Sequence, residues 1–384
     1  VISQPKSIIG TLNLKKYIMA HPKVKVLSVG MGGVGTMAAY ALEIGGRAEV
    51  TAVLRSNFEA VQKKGFDIDS LEHGHDIKGW RPTHSKWFRM RYSFCRAAAD
   101  INPTPVRRTI PNVAEEELSG FDYIVVTTKS IPEIPPSVED LIAPAVTPGK
   151  TAIVLSQNGL NIERPIISRF PTNPIISSIS LINVAETSHG TILHDDNDVQ
   201  FIGPWISPQI KPEIVERAAM EYISLYNACG ILRIEYEHDV QFTRWQKLVY
   251  NSSYNTVSAA LQMDTIRMRK SVHVIDELVR PIMLEIVAAA KAAGYQLPPD
   301  IVQKKILNDP IDVEVRPSMM QDVSKGNFIE IENIVHQPLL EGTSRGVPMP
   351  TLQTVYYILK GFQRKTMEKR GLWEPAFTPD NPYR

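Results

Sequence analysis

The chain has 384 residues, 43% hydrophobic and 22% charged, which suits roughly two domains with ordinary apolar cores. Its 42 lysines and arginines nearly cancel 41 aspartates and glutamates, leaving a formal charge of +1, so any bound anion needs a local site rather than a general attraction for nucleic acid or membrane. The two cysteines, Cys95 and Cys229, lie far apart without CxxC or Cys/His spacing, which argues against a disulfide framework and a structural zinc site, and no apolar run reaches the roughly 18 residues of a membrane span.

Residues 1–22 read as an extension. Val1 to Ala20 is interrupted by Lys6, Lys15 and Lys16 and lacks the apolar centre of a secretory signal, and Met19 offers a natural start, so residues 1–18 are expected to be a vector-derived or upstream leader and the cytosol the location. Val24, Val26, Leu27 and Val29 predict a buried strand. Gly30-Met31-Gly32-Gly33-Val34-Gly35 follows at once, then a helix from Thr36 to Glu43 and a second strand over Ala48 to Leu54. Further apolar strands are expected at Phe121 to Thr127 and Thr151 to Leu155, and their spacing implies a mostly parallel sheet covered on both faces. Between about Leu71 and Arg108 the pattern dissolves, which predicts a peripheral insertion. Thr191 to His194 and Val199 to Ile202 flank Asp195-Asp196-Asn197 and predict a hairpin. A helix is expected from Pro212 to Cys229, with Gly230 at its end, and a strand over Ile231 to Glu235. Beyond His238 the chain reads as helices at about 238–262, 271–293, 299–307, 317–345 with a weak point near Gly326, and 351–370. The predicted architecture is an α/β Rossmann-type domain over 23–237, with an insertion at about 71–108, followed by an all-α domain over 238–384.

The strand, glycine turn, helix and strand give the Gly-x-Gly-x-x-Gly of Gly30, Gly32 and Gly35 its meaning. The first glycine permits the turn, the second lets backbone approach a pyrophosphate, and the third lets helix and strand pack closely. Gly30 to Gly35 is therefore the expected nucleotide loop. The second strand ends Val53-Leu54-Arg55-Ser56-Asn57, with no acidic residue to hold a ribose 2′-hydroxyl. Arg55, helped by Ser56, is expected to pair with a 2′-phosphate, which selects NADPH over NADH.

In the C-terminal half, Lys247, Asn251 and Asn255 stand at i, i+4 and i+8, one polar stripe along a helix, either a solvated outer face or the lining of a site. About 70 residues later comes Arg316-Pro317-Ser318-Met319-Met320-Gln321-Asp322, with Glu330 twelve residues after Ser318. Taken with the glycine motif, Thr128-Lys129 after one strand and Gln157-Asn158-Gly159 after the next, these features resemble the ketopantoate reductase family from Val24 to about Lys360. The resemblance implies an NADPH-binding Rossmann domain joined to a helical domain like the C-terminal helices of 6-phosphogluconate dehydrogenase. It implies NADP-dependent reduction of a 2-oxo acid or related ketone, with 2-dehydropantoate as first candidate and pantothenate biosynthesis as setting. Carried over by position, Lys247 would be the general acid, and Glu330 would engage the substrate hydroxyl or position Lys247. Asn251 and Asn255 would orient the substrate, Ser318 would bind its carboxylate side, and Lys129 and Asn158 would lie near the nicotinamide ribose. The chemistry agrees, because ketone reduction builds negative charge on oxygen and a cationic donor stabilises that charge as it develops.

Two features depart from the family pattern: Ile329 stands where the family places a threonine, and the 71–108 insertion is long. Both point to a bulkier or more apolar ketone, with lower polarity beside Glu330. A non-catalytic NADPH-binding sensor is the alternative from another class. His73, His75 and His84 fit no standard zinc spacing and read as surface loop residues. Arg89, Arg91 and Arg96 among Trp87, Phe88, Tyr92 and Phe94 read as a packed amphipathic segment rather than a nucleic-acid patch. Met319 and Met320 read as helix core. A small-molecule partner is expected, with neither nucleic acid nor membrane, and a homodimer is compatible with the sequence.

Overall fold

A computed structural model describes residues 22–82 and 106–384. The expectations for residues 1–18, for His84 and Cys95 and for the basic-aromatic run lie outside the described residues.

The N-terminal half is built on an eight-stranded sheet. Its members are β1 (Val24–Val29), β2 (Ala48–Val53), β5 (Val106–Arg107), β6 (Tyr123–Val126), β7 (Ala152–Leu155), β8 (Ile175–Ser180), β11 (Gln200–Trp205) and β12 (Glu235–Tyr236). Their order is β12-β11-β8-β7-β6-β1-β2-β5, and the only antiparallel pair among them is β8 with β11. Period-two alternation divides the central strands between two cores. Val26, Tyr123 and Val125 pack on one face, with the helices Gly33–Ile44 and Pro212–Tyr226; Leu27, Ile124 and Val126 pack on the other, with Ile142 and Ile166. The chain leaves β1 toward β2 and later returns on the other side of β1 as β6. That reversal opens a crevice at the carboxyl ends of β1 and β6, the usual ligand position in such sheets.

Several expectations need correction. Thr191–His194, strand β10, and β11 do not form a hairpin, because they belong to different sheets. β10 pairs antiparallel with β9 (Val184–Ser188) and parallel with β3 (Phe66–Ser70), which pairs with β4 (Gly74–Trp80). The true turn falls at His189-Gly190, where Gly190 has φ +78°, a backbone well suited to glycine. The asparagine and aspartates after β10 lie instead in a connection between the two sheets. The region read as an insertion from Leu71 therefore begins with an ordered strand, β4, and ends in the edge strand β5. The expected strand at Ile231 to Glu235 is replaced by the short β12, which shares only Glu235 with it. His73 is not a surface loop residue: both its ring nitrogens are shut off from solvent, and its ring stands edge-on to Tyr40 at 5.3 Å.

From Val240 onward the described chain is helical. The stretch read as one helix contains Val240–Tyr250, a π turn at Asn251–Asn255 and Thr256–Leu261; a separate helix, Thr265–Lys270, follows. Arg280–Ala292 is likewise preceded by a π turn at Ile275–Val279. The expected helix over 317–345 is broken more widely than its weak point suggested. Ser318–Ser324 ends before Gly326, which has φ +66°, and helix resumes with a π turn at Glu332–His336 and then Gln337–Thr343. Pro350–Lys369 closes the bundle. Its core holds Trp245, Tyr254, Met319, Ile331 and Leu352. Ile329 is also buried there, and its backbone N–H and C=O both bond the Gln363 amide. It therefore packs into the bundle and does not lower the polarity of a pocket beside Glu330.

Candidate active site

The carboxyl ends of three neighbouring strands supply the Rossmann side of the site: Gly30–Gly35 after β1, Thr128–Ser130 after β6 and Gln157–Gly159 after β7. At Gly30, with φ +97°, an added Cβ would lie 2.8 Å from the Thr128 amide nitrogen. At Gly35 it would meet the Gly30 carbonyl oxygen at 2.0 Å, so only glycine lets the helix approach the strand. At Gly32 it would meet nothing within 4 Å. Gly32 is exposed, and the helix that follows has neither a side-chain cap at its start nor an acidic residue in its first turn. Its first amides therefore face open space with their positive dipole end, as a pyrophosphate requires. Met31 is buried and fixes the loop, its carbonyl accepting from Thr36 Oγ1 at 3.2 Å and from Asn57 Nδ2 at 2.7 Å. Val34 lies in the first turn of the helix. The loop thus fits a dinucleotide.

Arg55 and Ser56 are exposed at the end of β2, and the Arg55 side chain makes no hydrogen bond or ion pair among the described residues. Arg108 stands beside them, since Leu54 N–H donates to the Arg107 carbonyl at 2.7 Å; its guanidinium lies 4.8 Å from the Phe58 ring centre and pairs with Glu59. Sequence reading missed Arg108 because the apolar pattern dissolves before it and no strand was expected there.

The helical domain contributes Lys247. Its ammonium donates to Asn158 Oδ1 at 2.8 Å and to the carbonyl of Ser180, at the end of β8, at 2.5 Å. An ammonium has three N–H bonds, so one remains for another acceptor. Burial pushes its pKa down to about 8; the nearby Arg244 and Lys305 push the same way, and Glu330 opposes them. Asn158 reaches further, its Nδ2 donating to Glu330 Oε2 at 3.4 Å, while Glu330 Oε1 accepts from the Ser130 amide at 3.2 Å. Burial raises the Glu330 pKa and Lys129 works against it. Asn158 therefore links Lys247 to Glu330, a juxtaposition of residues 89 and 172 positions apart that spacing alone does not show.

Asn255 Nδ2 donates to Ser318 Oγ at 3.4 Å. Asn251, between Lys247 and Asn255 in sequence, is buried, and its side-chain amide makes no hydrogen bond among the described residues. The π turn over Asn251–Asn255 changes the angular step between these residues from that of a regular helix, and such turns recur at functional sites. Lys129 pairs with Asp322 on the helical domain. Lys305, on Ile301–Ile306, is half-buried, has its pKa lowered by burial, and makes no hydrogen bond or ion pair among the described residues. Sequence reading passed over it because a lysine in Lys304-Lys305 looks like a solvated face.

A connected set of contacts results. Thr128 touches the glycine loop and its carbonyl accepts from Gln157 Nε2 at 2.6 Å; Ser130 touches Glu330; Asn158 touches Lys247. The strand ends that carry the nucleotide loop thus also carry the contacts to the Lys247 ammonium.

Comparison with known proteins identifies the family. The model of the ketopantoate reductase PanE/ApbA family matches residues 26–207, and that of its C-terminal domain matches residues 239–363. An uncharacterized protein of Saccharomyces cerevisiae, YDL144C, is 31% identical over 91% of this chain and 96% of its own. A 2-dehydropantoate 2-reductase of Mesorhizobium japonicum is 25% identical over 88% of this chain and 97% of its own. The crystal structure of 2-dehydropantoate 2-reductase from Methylococcus capsulatus is similar with a TM-score of 0.69 and 27% identity, covering 89% of this chain and 98% of that one. The chain belongs to the ketopantoate reductase family and is an NADP-dependent oxidoreductase acting on a ketone or CH–OH group.

Proposed function

We propose that the protein reduces the ketone of a 2-oxo acid with NADPH, with 2-dehydropantoate as the first substrate to test, and with Lys247 as general acid. The observation that carries this reading is the Lys247 ammonium, held by two acceptors, with a third N–H free and a pKa near 8. Bound at the glycine loop with Arg55 and Ser56 at its 2′-phosphate, the cofactor supplies the hydride. Lys247 donates a hydrogen bond to the ketone oxygen, stabilises the charge that builds there and delivers the proton. A lysine whose pKa lies close to working pH suits this duty, because it is still protonated yet gives up its proton readily. Asn158 and Ser180 aim the ammonium, and Glu330 anchors Asn158. Asn251, Asn255 and Ser318 hold the substrate's polar groups. Lys305 is the cation available to its carboxylate, which favours an acid over a neutral ketone. Reduction of 2-dehydropantoate would belong to pantothenate biosynthesis, in the cytoplasm; no helix among the described residues is long and apolar enough to cross a membrane.

With Ile329 packed in the bundle, the case for an apolar substrate loses its residue-level support. A panel of 2-oxo acids and their methyl esters, assayed by NADPH oxidation alongside direct NADPH binding, tests the reading. Acids reduced at lower KM than their esters are the expected result. Tight NADPH binding with no oxidation by any ketone would instead indicate a sensor, and preferred esters would remove Lys305 from the site.

A further inference from the structure

Arg244 lies three residues before Lys247 on the same helix, and it is only 3% exposed beside a Glu163 that is 0% exposed. Two charges so enclosed need each other and further hydrogen bonds, and here these converge on Glu163 Oε1, while Glu163 Oε2 is buried without a partner among the described residues. Arg244 Nε donates to Glu163 Oε1 at 2.8 Å and to Ser177 Oγ at 3.0 Å, and Nη2 donates to Ser177 Oγ at 2.7 Å. Ser177 Oγ in turn donates to Glu163 Oε1 at 2.7 Å. These bonds fasten the helix to β8. The Nη1 group does something else: it donates to the carbonyl of Gln157 at 3.1 Å and to that of Gly159 at 3.0 Å, the two residues on either side of Asn158.

We propose that Arg244 is a positioning residue for the reduction: by gripping the carbonyls that flank Asn158, its guanidinium holds the Asn158 amide between Lys247 and Glu330. This rests on the reading of Lys247 as proton donor. The turn is pinned from its other side as well. Gly159 has φ +105°, an added Cβ there would lie 2.4 Å from Asn333 Cβ, and the next amide, of Leu160, donates to the Asn333 carbonyl at 2.9 Å. Arg244 closes this grip from below with a planar fork that a lysine ammonium cannot reproduce. One helix therefore carries both the ammonium and the clamp that sets its acceptor, so that any shift of the helix moves both together. The positive charge of Arg244 also helps hold down the pKa of Lys247.

The test is a double-mutant cycle between Arg244→Lys and Asn158→Ala, read by kcat, by KM for NADPH and for the ketone, and by the pH dependence of Lys247 acylation measured by peptide mass spectrometry. Arg244→Lys keeps the charge and loses the fork, so kcat should fall about tenfold to a hundredfold with KM for NADPH nearly unchanged. In the Asn158→Ala background the same substitution should cost little more, because the residue it positions is already gone. An equal loss in both backgrounds would mean a merely structural role and overturn the proposal. A second variant pair, Arg244→Met with Glu163→Gln, removes both charges without leaving a bare buried carboxylate. Burial, the larger cause of the depression, stays in place, so its Lys247 acylation midpoint should rise above about 8 only by the part the Arg244 charge contributes while cooperative melting persists, and an unmoved midpoint in a folded variant would contradict the account. Acylation needs no turnover. If the wild-type protein reduces no ketone, the functional reading fails on its own, and the acylation midpoint still decides whether Arg244 governs Lys247.

Discussion

At the scale of the residue, the proposed role of Lys247 depends on its environment as well as its identity. With its pKa depressed to about 8 by burial, the ammonium is charged below that pH and neutral above it. The rate of ketone reduction should therefore be level below pH 8 and fall above it, while NADPH affinity stays flat across the same range; a rate that rises through pH 9 would remove Lys247 as acid. Arg55 makes a separate claim. Exposed and without a partner among the described residues, it is poised for a phosphate, so Arg55→Ala should raise Kd for NADPH about tenfold or more and leave NADH nearly unaffected, as two calorimetric titrations would measure. Both residues were singled out from the sequence, Lys247 by the polar stripe and the family resemblance and Arg55 by strand-end chemistry. Arg244 and Lys305 were not: a charged residue on a helix looks solvated until its distant surroundings are known, and Glu163 lies 81 positions from Arg244.

At the scale of the element, the glycine loop separates a steric duty from a binding one. A Cβ at Gly35 would collide with the Gly30 carbonyl, whereas a Cβ at Gly32 would project into open space. Gly35→Ala should consequently lower thermal stability, by about 1–3 kcal/mol as strain from overpacking. Gly32→Ala should melt like the wild-type protein and yet lose most NADPH affinity, because its methyl occupies the pyrophosphate's approach. Equal melting temperatures for the two variants would contradict this division. The parallel strands and this loop were readable because apolar runs and glycine turns are local signals. The π turns were not, since a single wider turn leaves the hydrophobic periodicity almost unchanged. Nor was the β9–β10 pairing legible, because Asp195-Asp196-Asn197 is equally good turn chemistry for a connection between sheets.

For the whole molecule, the question is how the two halves are held face to face across the crevice. Lys129 pairs with Asp322, Asn333 Nδ2 donates to Ser130 Oγ at 2.7 Å, and Arg164 Nη2 meets Glu341 at 2.8 Å. Lys360 bridges Glu133 of the sheet domain at 3.2 Å and Glu332 of the bundle at 3.0 Å. Burial and the neighbouring Glu332 already raise the Glu133 pKa, which Lys360 opposes. Lys360→Met leaves the two carboxylates facing each other, so stability should fall by about 1–2 kcal/mol near pH 8, moderated by the partial exposure of Lys360. The sign of the pH effect follows. A carboxyl whose pKa is raised in the folded state takes up protons more readily than in the unfolded chain, so acidification toward pH 5 should recover part of the loss. A melting-temperature deficit that grows on acidification would contradict this. Such contacts between halves are beyond sequence reading, which saw two domains of different character and no means of joining them.

The central claim is that Lys247 protonates a ketone beside bound NADPH, and it is tested most directly by single-turnover oxidation of NADPH with 2-dehydropantoate in wild-type protein and in Lys247→Ala. The expected result is a rate reduced about a hundredfold to ten-thousandfold in the variant, with its NADPH affinity unchanged. Oxidation by Lys247→Ala at the wild-type rate would contradict the account.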